Sequence, residues 1–434
     1  MSGPYQSWGR YPSAEHDVEY LSWRTDPLPI PAHEDKSFLA FGKGRSYGDA
    51  CLNDGGVLID VTQLNRFISF DQDLGILRCE GGVTLEQIIE LILPAGWFLP
   101  VTPGTKHVTI GGAIANDVHG KNHHRAGSFG NYLRCMEIAH SDGSRTHCSE
   151  KEHEELFAAT IGGLGLTGVI LWAEIELMRV ESDKLEVDRI PMRDLDHFLQ
   201  LSEESDKEYE YTVSWIDCLA PARSRGRGLF IRANHARDRT DVARRKRGLR
   251  VPFELPVSPL NRVSLQAFNK LYFHTRRRVS RVEDLASFFY PLDWIRDWNR
   301  LYGPRGFLQY QCVVPEASEL RTVLDTIAER GKGSFLAVLK VFGDISSRGL
   351  MSFPRKGLTV ALDFPMLGTS TLDLLDELDL VVQRCKGAVY PAKDARMSPE
   401  SFRCFFPNWR QFSTFIDPRF SSGFWRRVAG RPDD

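Results

Sequence analysis

Nothing in this chain is built to cross a bilayer. The sequence has no apolar run of the required length, and residues 1–20 carry charges and prolines where a secretion signal would have an apolar core. A cytoplasmic protein, at most peripheral to the inner face of a membrane, is therefore expected. Paired cysteines are also missing. Cys51, Cys79, Cys135, Cys148, Cys218, Cys312, Cys385 and Cys404 form neither a CxxC nor a compact framework, which argues against a zinc site or a disulfide scaffold and for reduced thiols. A formal net charge of -2 leaves no Lys/Arg excess for a dedicated nucleic-acid binder. No GxGxxG sits at a strand-to-helix junction with an acidic residue about 20 positions on, so a Rossmann dinucleotide fold is not indicated.

What the chain does have is glycine in blocks. At 434 residues, 42% hydrophobic and 26% charged, it is long for one core and has the make-up of a folded protein with two units. Between residues 40 and 170 lie Gly42-Lys43-Gly44-Arg45-Ser46-Tyr47-Gly48-Asp49, Pro103-Gly104-Thr105 followed by Ile110-Gly111-Gly112-Ala113-Ile114-Ala115, and Gly162-Gly163-Leu164-Gly165-Leu166-Thr167-Gly168. Glycine tolerates positive φ and lets successive N–H groups approach a phosphate closely. One such block is an ordinary turn. Three, each beside a strand-like run, point to a cradle for the pyrophosphate of a flavin dinucleotide.

Residues 57–61 and 75–79 have the pattern of short strands, and residues 84–93 that of a helix with Thr84 and Glu86 at its start and Pro94 and Gly96 at its stop. Residues 133–140, the Ser141-Asp142-Gly143-Ser144 turn and the next strand make a hairpin, residues 156–161 a short helix, and residues 168–178 a long strand. After residue 182 the glycine loops stop, which marks a domain boundary. Strands at 211–216, 229–233, 307–314, 334–342 and 358–364 and helices at 319–330 and 371–385 then suit an antiparallel sheet with helices on one face and the other free to cover a ligand.

The glycine blocks, with Asp117-Val118-His119-Gly120-Lys121-Asn122-His123-His124, Ala126-Gly127-Ser128-Phe129-Gly130, Phe307-Leu308-Gln309-Tyr310-Gln311, Lys340-Val341-Phe342-Gly343, Leu362-Asp363-Phe364-Pro365 and Ala392-Lys393-Asp394, resemble the FAD-linked oxidases of the vanillyl-alcohol-oxidase fold with its PCMH-type FAD-binding domain. Within them the likeness is to the branch that oxidises decaprenylphosphoryl-β-D-ribose, to which the His-Gly-Lys-Asn-His-His block is specific. It covers most of the chain and is weakest between residues 183 and 280. The resemblance implies a two-lobed α+β fold, with an FAD-binding domain of residues 1–182 and 388–434 and a substrate domain of residues 183–387. It implies FAD contacts at Gly42, Lys43, Gly44, Arg45, Ser46, Tyr47, Gly48, Asp49, Gly104, Thr109, Ile110, Gly111, Gly112, Asn116, Asp117, Val118, His119, Ile170 and Tyr390. The sugar pocket it implies draws on Tyr47, His119, Gln311, Lys340, Thr359 and Lys393. Covalent relatives attach flavin through a histidine where this chain has Arg45, so the implied FAD is non-covalent. Relatives can carry a cysteine in place of Ala361, and in Phe289-Tyr290-Pro291 they place the tyrosine one residue earlier, which leaves an aromatic wall without its hydroxyl.

The implied reaction takes the 2'-hydroxyl of a polyprenylphosphoryl ribose to a keto sugar, the first half of an epimerisation that a short-chain reductase partner completes. Such an oxidation removes hydride from carbon while the hydroxyl proton leaves, so it needs a proton acceptor beside a flavin face. Lys393 and His119 are the candidates: a lysine serves when burial or a neighbouring cation lowers its pKa, a histidine is near the useful range already, and the sequence does not rank them. Lys340 interrupts the alternation of Leu336 and Val338 and either snorkels to an edge or meets an anion. His123 and His124 cannot both point inward on a strand and have no carboxylate at ligand spacing, so no metal is expected. Arg244-Arg245-Lys246-Arg247, Arg250 and Arg276-Arg277-Arg278, beside Leu249, Val251, Phe253, Leu255 and Leu260, suit a solvated loop or a cover facing an anionic membrane or lipid phosphate. Two alternatives stay open. A soluble sugar or alditol oxidase of the same fold would not need a lipid phosphate, and a flavin-binding redox sensor would not be reduced by a substrate.

Overall fold

The computed structural model describes residues 5–30, 35–237, 248–254, 262–275, 278–334 and 336–429. Of the basic stretch, Arg244, Arg245, Lys246, Arg247, Leu255, Leu260, Arg276 and Arg277 lie outside the described residues. The fold is α+β. Its largest sheet is antiparallel and runs in the order Val279–Asp284, Lys184–Met192, Gly228–His235, Tyr211–Ile216, Ala337–Phe342, Gly357–Pro365, Phe307–Val314, Ala388–Val389. Because side chains alternate along a strand, its two faces have different fates. Tyr310, Cys312, Leu339, Val360 and Leu362 enter a core shared with the helices Ala317–Glu329 and Thr369–Arg384. The first helix meets that core with Leu320, Val323, Leu324 and Ile327, at the three- and four-residue spacing of one apolar stripe. The intervening residues Gln309, Gln311, Val338, Lys340, Thr359 and Ala361 line a cavity instead. Helices on one face and a covered cavity on the other is the arrangement the strand and helix pattern predicts.

Facing this sheet are the glycine-bearing connections of two smaller ones. A five-stranded antiparallel sheet joins Phe67–Asp71, Ile76–Glu80, Val169–Glu176, Leu133–Ala139 and Arg145–Ser149, and a three-stranded parallel sheet joins Asp17–Tyr20, Val57–Asp60 and Phe38–Phe41. The helix Leu85–Ile92 starts at a capping box between Thr84 and Gln87 and buries Leu85, Ile88, Ile89 and Ile92. It runs through Leu93–Ala95 to Gly96, whose φ of 79° ends it.

The last segment ties these parts together. Ala388–Val389 pairs with Phe307–Val314 at the edge of the large sheet, and the helices Pro399–Phe405, Trp409–Ser413 and Gly423–Ala429 bring Phe402, Phe405, Phe412, Phe424 and Val428 into one core with Leu39, Phe41 and Leu58 of the parallel sheet. Two local features differ from expectation. His123 and His124 open a short helix, His123–Ala126, not a strand. The strand Lys184–Met192, unforeseen because its Asp188-Arg189 pair breaks the apolar pattern, lies next to one edge of the large sheet, between Val279–Asp284 and Gly228–His235. All eight cysteines are free. Among the described residues no helix is long and apolar enough to cross a membrane, and no cluster of three metal-ligating side chains occurs.

Candidate active site

The cavity between the large sheet and the glycine loops has a volume of about 1300 Å³, above the roughly 300–1,000 Å³ of a pocket for one small molecule. That leaves room for a dinucleotide and a second molecule. Of the residues expected to hold FAD, Gly42, Lys43, Gly44, Arg45, Ser46, Tyr47, Gly104, Thr109, Gly111, Gly112, Asn116, Val118, His119, Ile170 and Tyr390 lie on its wall. The wall fits a closely approaching ligand. At Gly104 a Cβ would meet no protein atom within 4 Å, so the protein's own packing gives no reason for glycine there, whereas a Cβ on Gly42 would lie 2.5 Å from Thr109 Oγ1. Gly44 has a φ of +57° and supplies the left-handed turn of the first loop.

Four expected cofactor residues are off the wall, each for a packing reason. Ile110 is fully buried in the core around helix Leu85–Ile92. The Asp117 carboxylate accepts from Gly130 N at 2.8 Å and Ser352 Oγ at 2.6 Å, and so pins two loops to each other. Gly48 packs so tightly on the carbonyl of Asp394 that a Cβ has no space. Asp49 faces Arg427, which reaches its two oxygens at 2.7 and 3.1 Å, Asp394 Oδ2 at 3.0 Å and the carbonyl of Met397 at 2.6 Å. The C-terminal helix thereby clamps the first glycine loop to the turn that carries Lys393.

On the sheet side the expected sugar residues converge. Gln311 Nε2 lies 2.8 Å from His119 Nε2 and 3.2 Å from Thr359 Oγ1, and Thr359 Oγ1 donates to the carbonyl of Cys312 at 2.9 Å. Since the threonine hydroxyl gives its proton to that carbonyl, it accepts from the glutamine amide, and the same amide donates to His119 Nε2. The ring proton of a neutral His119 therefore sits on Nδ1, 3.0 Å from Lys340 Nζ, whose lone pair accepts it when the lysine is the neutral amine, while Nζ donates to the carbonyl of Gly120 at 3.0 Å. Burial, then the charges of Lys340, His123 and Lys393, hold the His119 pKa well below its usual value. Lys340 does not snorkel; its end points at His119.

Three lysines share this corner. Burial brings Lys340 down to about 7, helped by repulsion from Lys121 and Lys393. Lys121 is likewise brought to about 7 by burial and Arg189, with Glu283 opposing; its ammonium donates to the carbonyl of Phe288 and lies 4.3 Å from the Phe288 ring centroid. Lys393 is lowered to about 8 by burial, against the pull of Asp363, and its Nζ stands 3.9 Å over the ring of Tyr47. Asp363 is pushed upward by burial and accepts from Gln309 Nε2 at 2.5 Å. Among the described residues no protein acceptor hydrogen-bonds to Lys393 Nζ.

Sequence reasoning left Lys121, Gln309 and Asp363 without a role. Gln309 was findable, because it sits two residues before Gln311 on the same strand face. Lys121 was not, since the rings that bury it are 167 residues away. The aromatic wall is made by Phe288 and Phe289, while the hydroxyl of Tyr290 turns to Thr102 Oγ1 at 2.7 Å.

A family model described as an FAD binding domain matches residues 30–149. Over 412 residues the chain is 36% identical to the decaprenylphosphoryl-beta-D-ribose oxidase of Mycolicibacterium smegmatis (strain ATCC 700084 / mc(2)155), which covers 91% of this chain and 89% of that one. It is 35% identical over 373 residues to an uncharacterized protein in the mprA 5' region of Streptomyces coelicolor, across 80% of this chain and 100% of the relative. A shorter match of 118 residues, 30% identical, reaches the Delta(24)-sterol reductase of Homo sapiens over 27% of this chain and 23% of that protein. The chain therefore belongs to the decaprenylphosphoryl-β-D-ribose oxidase family and is an FAD-binding oxidoreductase.

Proposed function

We propose that the protein oxidises the 2'-hydroxyl of a polyprenylphosphoryl-β-D-ribose to the 2'-keto sugar with non-covalently held FAD, as the first half of an epimerisation that a short-chain reductase partner completes. In this reading residues 1–182 and 388–434 form the FAD lobe of a vanillyl-alcohol-oxidase-like fold, and residues 183–387 the substrate lobe. The observation that carries it is the meeting of Lys121, Lys340 and Lys393 with His119 in one buried corner. Of the two carboxylates near them, Glu283 is already engaged by Arg189 and Arg281. A buried, poorly matched ammonium costs several kcal/mol, on the order expected for any ion taken from water. A sugar phosphate offsets that cost; a neutral polyol does not.

FAD bound along the glycine loops supplies the hydride acceptor. The chain's own residues handle the proton and the pose. Lys393, whose pKa of about 8 leaves part of it unprotonated near neutrality, takes the proton of the 2'-hydroxyl. His119 has both nitrogens engaged and so acts by position, presenting with Gln311 and Thr359 a polar wall to the sugar. Lys340 and Lys121 face the phosphate, and the Tyr47 ring holds the Lys393 ammonium in place. Leu249 and Phe253, exposed on either side of Arg250, support peripheral contact with an anionic membrane. The decisive test is anaerobic: polyprenylphosphoryl ribose is expected to bleach the yellow flavin band, and free ribose and ribitol are not. Equal bleaching by the free polyols would move the protein to the soluble sugar oxidases.

A further inference from the structure

The cavity wall made by the large sheet is divided. One row of side chains crosses four neighbouring strands in the register Gln311–Ala361–Val338–Trp215, and all four line the cavity. With strands about 4.8 Å apart, the row spans roughly 14 Å. It begins at the amide that holds His119 and is apolar from Ala361 onward. The Trp215 ring meets Tyr272 edge-on at 4.7 Å, and Tyr272 lines the cavity as well. Beyond it stand Arg250 and Ile295, also on the wall, from the paired strands Leu249–Arg250 and Ile295–Arg296. Beside these wall residues the chain turns Leu249, Leu271 and Phe253 outward, 58%, 66% and 64% exposed.

One face of this antiparallel sheet is packed on its helices and the other faces the cavity. Here Val338 and Trp215 stay partly open to the cavity, beside a corner crowded with ammonium groups. An apolar wall facing water is unfavourable by about 25 cal/mol per Å², and the Ala361 and Val338 side chains on it offer a sugar or a phosphate no hydrogen bond. We infer that this half of the wall is the path of the substrate's isoprenoid chain: the chain leaves the phosphate at the lysine corner, crosses Ala361, Val338 and Trp215, and passes Tyr272 to the exposed apolar rim. The inference rests on the lipid-linked substrate proposed above. Ala361 fits it, since a methyl group at the first step keeps the path free of polar atoms. The same line accounts for the exposure of Leu249 and Leu271, each next in sequence to a wall residue, Arg250 and Tyr272, where a chain entering from a bilayer would need apolar contact.

The test compares two ribose phosphate esters, one with a single isoprene unit and one with a long polyprenyl chain, by the rate of anaerobic flavin reduction. In the natural protein the long chain is expected to have the higher kcat/KM, through a lower KM. In Trp215→Ala and, separately, Val338→Asp, that long-chain advantage is expected to fall about tenfold, the equivalent of 1.4 kcal/mol, with the flavin spectrum reporting that each variant is folded. An advantage equal to that of the natural protein in Trp215→Ala overturns the path while leaving the reaction standing. Reduction by neither ester in the natural protein sinks the proposed reaction, and the path with it.

Discussion

Two sets of buried cations are treated in opposite ways. Arg396 and Arg427 are saturated with carboxylates: Arg396 reaches Asp376 and Asp379 at 2.7 Å each, and Arg427 reaches Asp49 and Asp394. Their pKa values are driven upward by those partners. Lys121, Lys340 and Lys393 are as deeply placed, yet theirs are driven down. The arginines hold a turn and a helix in register. In the proposed reaction the lysines, poorly matched, are kept ready to take up a proton or to meet an anion that arrives later. The same physics, burial of charge, thus separates a scaffold from a site by whether the counter-charge is built in.

The sharpest way to break this comparison is Lys393→Met. Flavin reduction is expected to fall about 10³-fold, within the range for losing a general base, with the flavin still bound. In the natural protein kcat/KM should climb as pH rises through about 8, because the unprotonated amine is the active form; the variant's profile should lack that step. Arg427→Met comes next. It leaves the Asp49 carboxylate unmatched and takes from Asp394 its nearest cation, and is expected to cost about 3–5 kcal/mol in a denaturant titration, with loss of flavin on gel filtration. Lys340→Met should raise KM about 10- to 100-fold, the worth of one or two charged hydrogen bonds, without lowering Tm, since it removes a buried charge that has no carboxylate partner. A drop in Tm like that of Arg427→Met would place Lys340 with the scaffold. The smallest effect expected is that of Thr359→Val, about fivefold in kcat/KM, for the loss of one neutral hydrogen bond to Gln311.

The scaffold was the more legible half. Thr84 and Glu86 at one end and Pro94 and Gly96 at the other announce their helix, the spacing of Leu320, Val323, Leu324 and Ile327 announces another, and strands 211–216 and 307–314 have the expected bounds. The glycine blocks point to the cavity because glycine has a backbone meaning of its own. Charge pairing has none in one dimension. Nothing around Asp49 signals Arg427, nor anything around Lys121 the rings of Phe288 and Phe289. Lys340 is the intermediate case: its place in an apolar strand marks it as unusual, but only the fold decides that it meets His119 and does not reach for an edge.

The clamp between Asp49 and Arg427 spans 378 residues of sequence, and this sets an order in time. A ribosome delivers the first glycine loop early, while the residue that locks it to the turn of Lys393 is among the last of the described chain to appear. That loop therefore waits, unclamped, through most of synthesis. Any FAD that binds before then meets a first glycine loop not yet held against the turn of Lys393, so the clamp, and not the loop's own neighbours in sequence, fixes the finished wall.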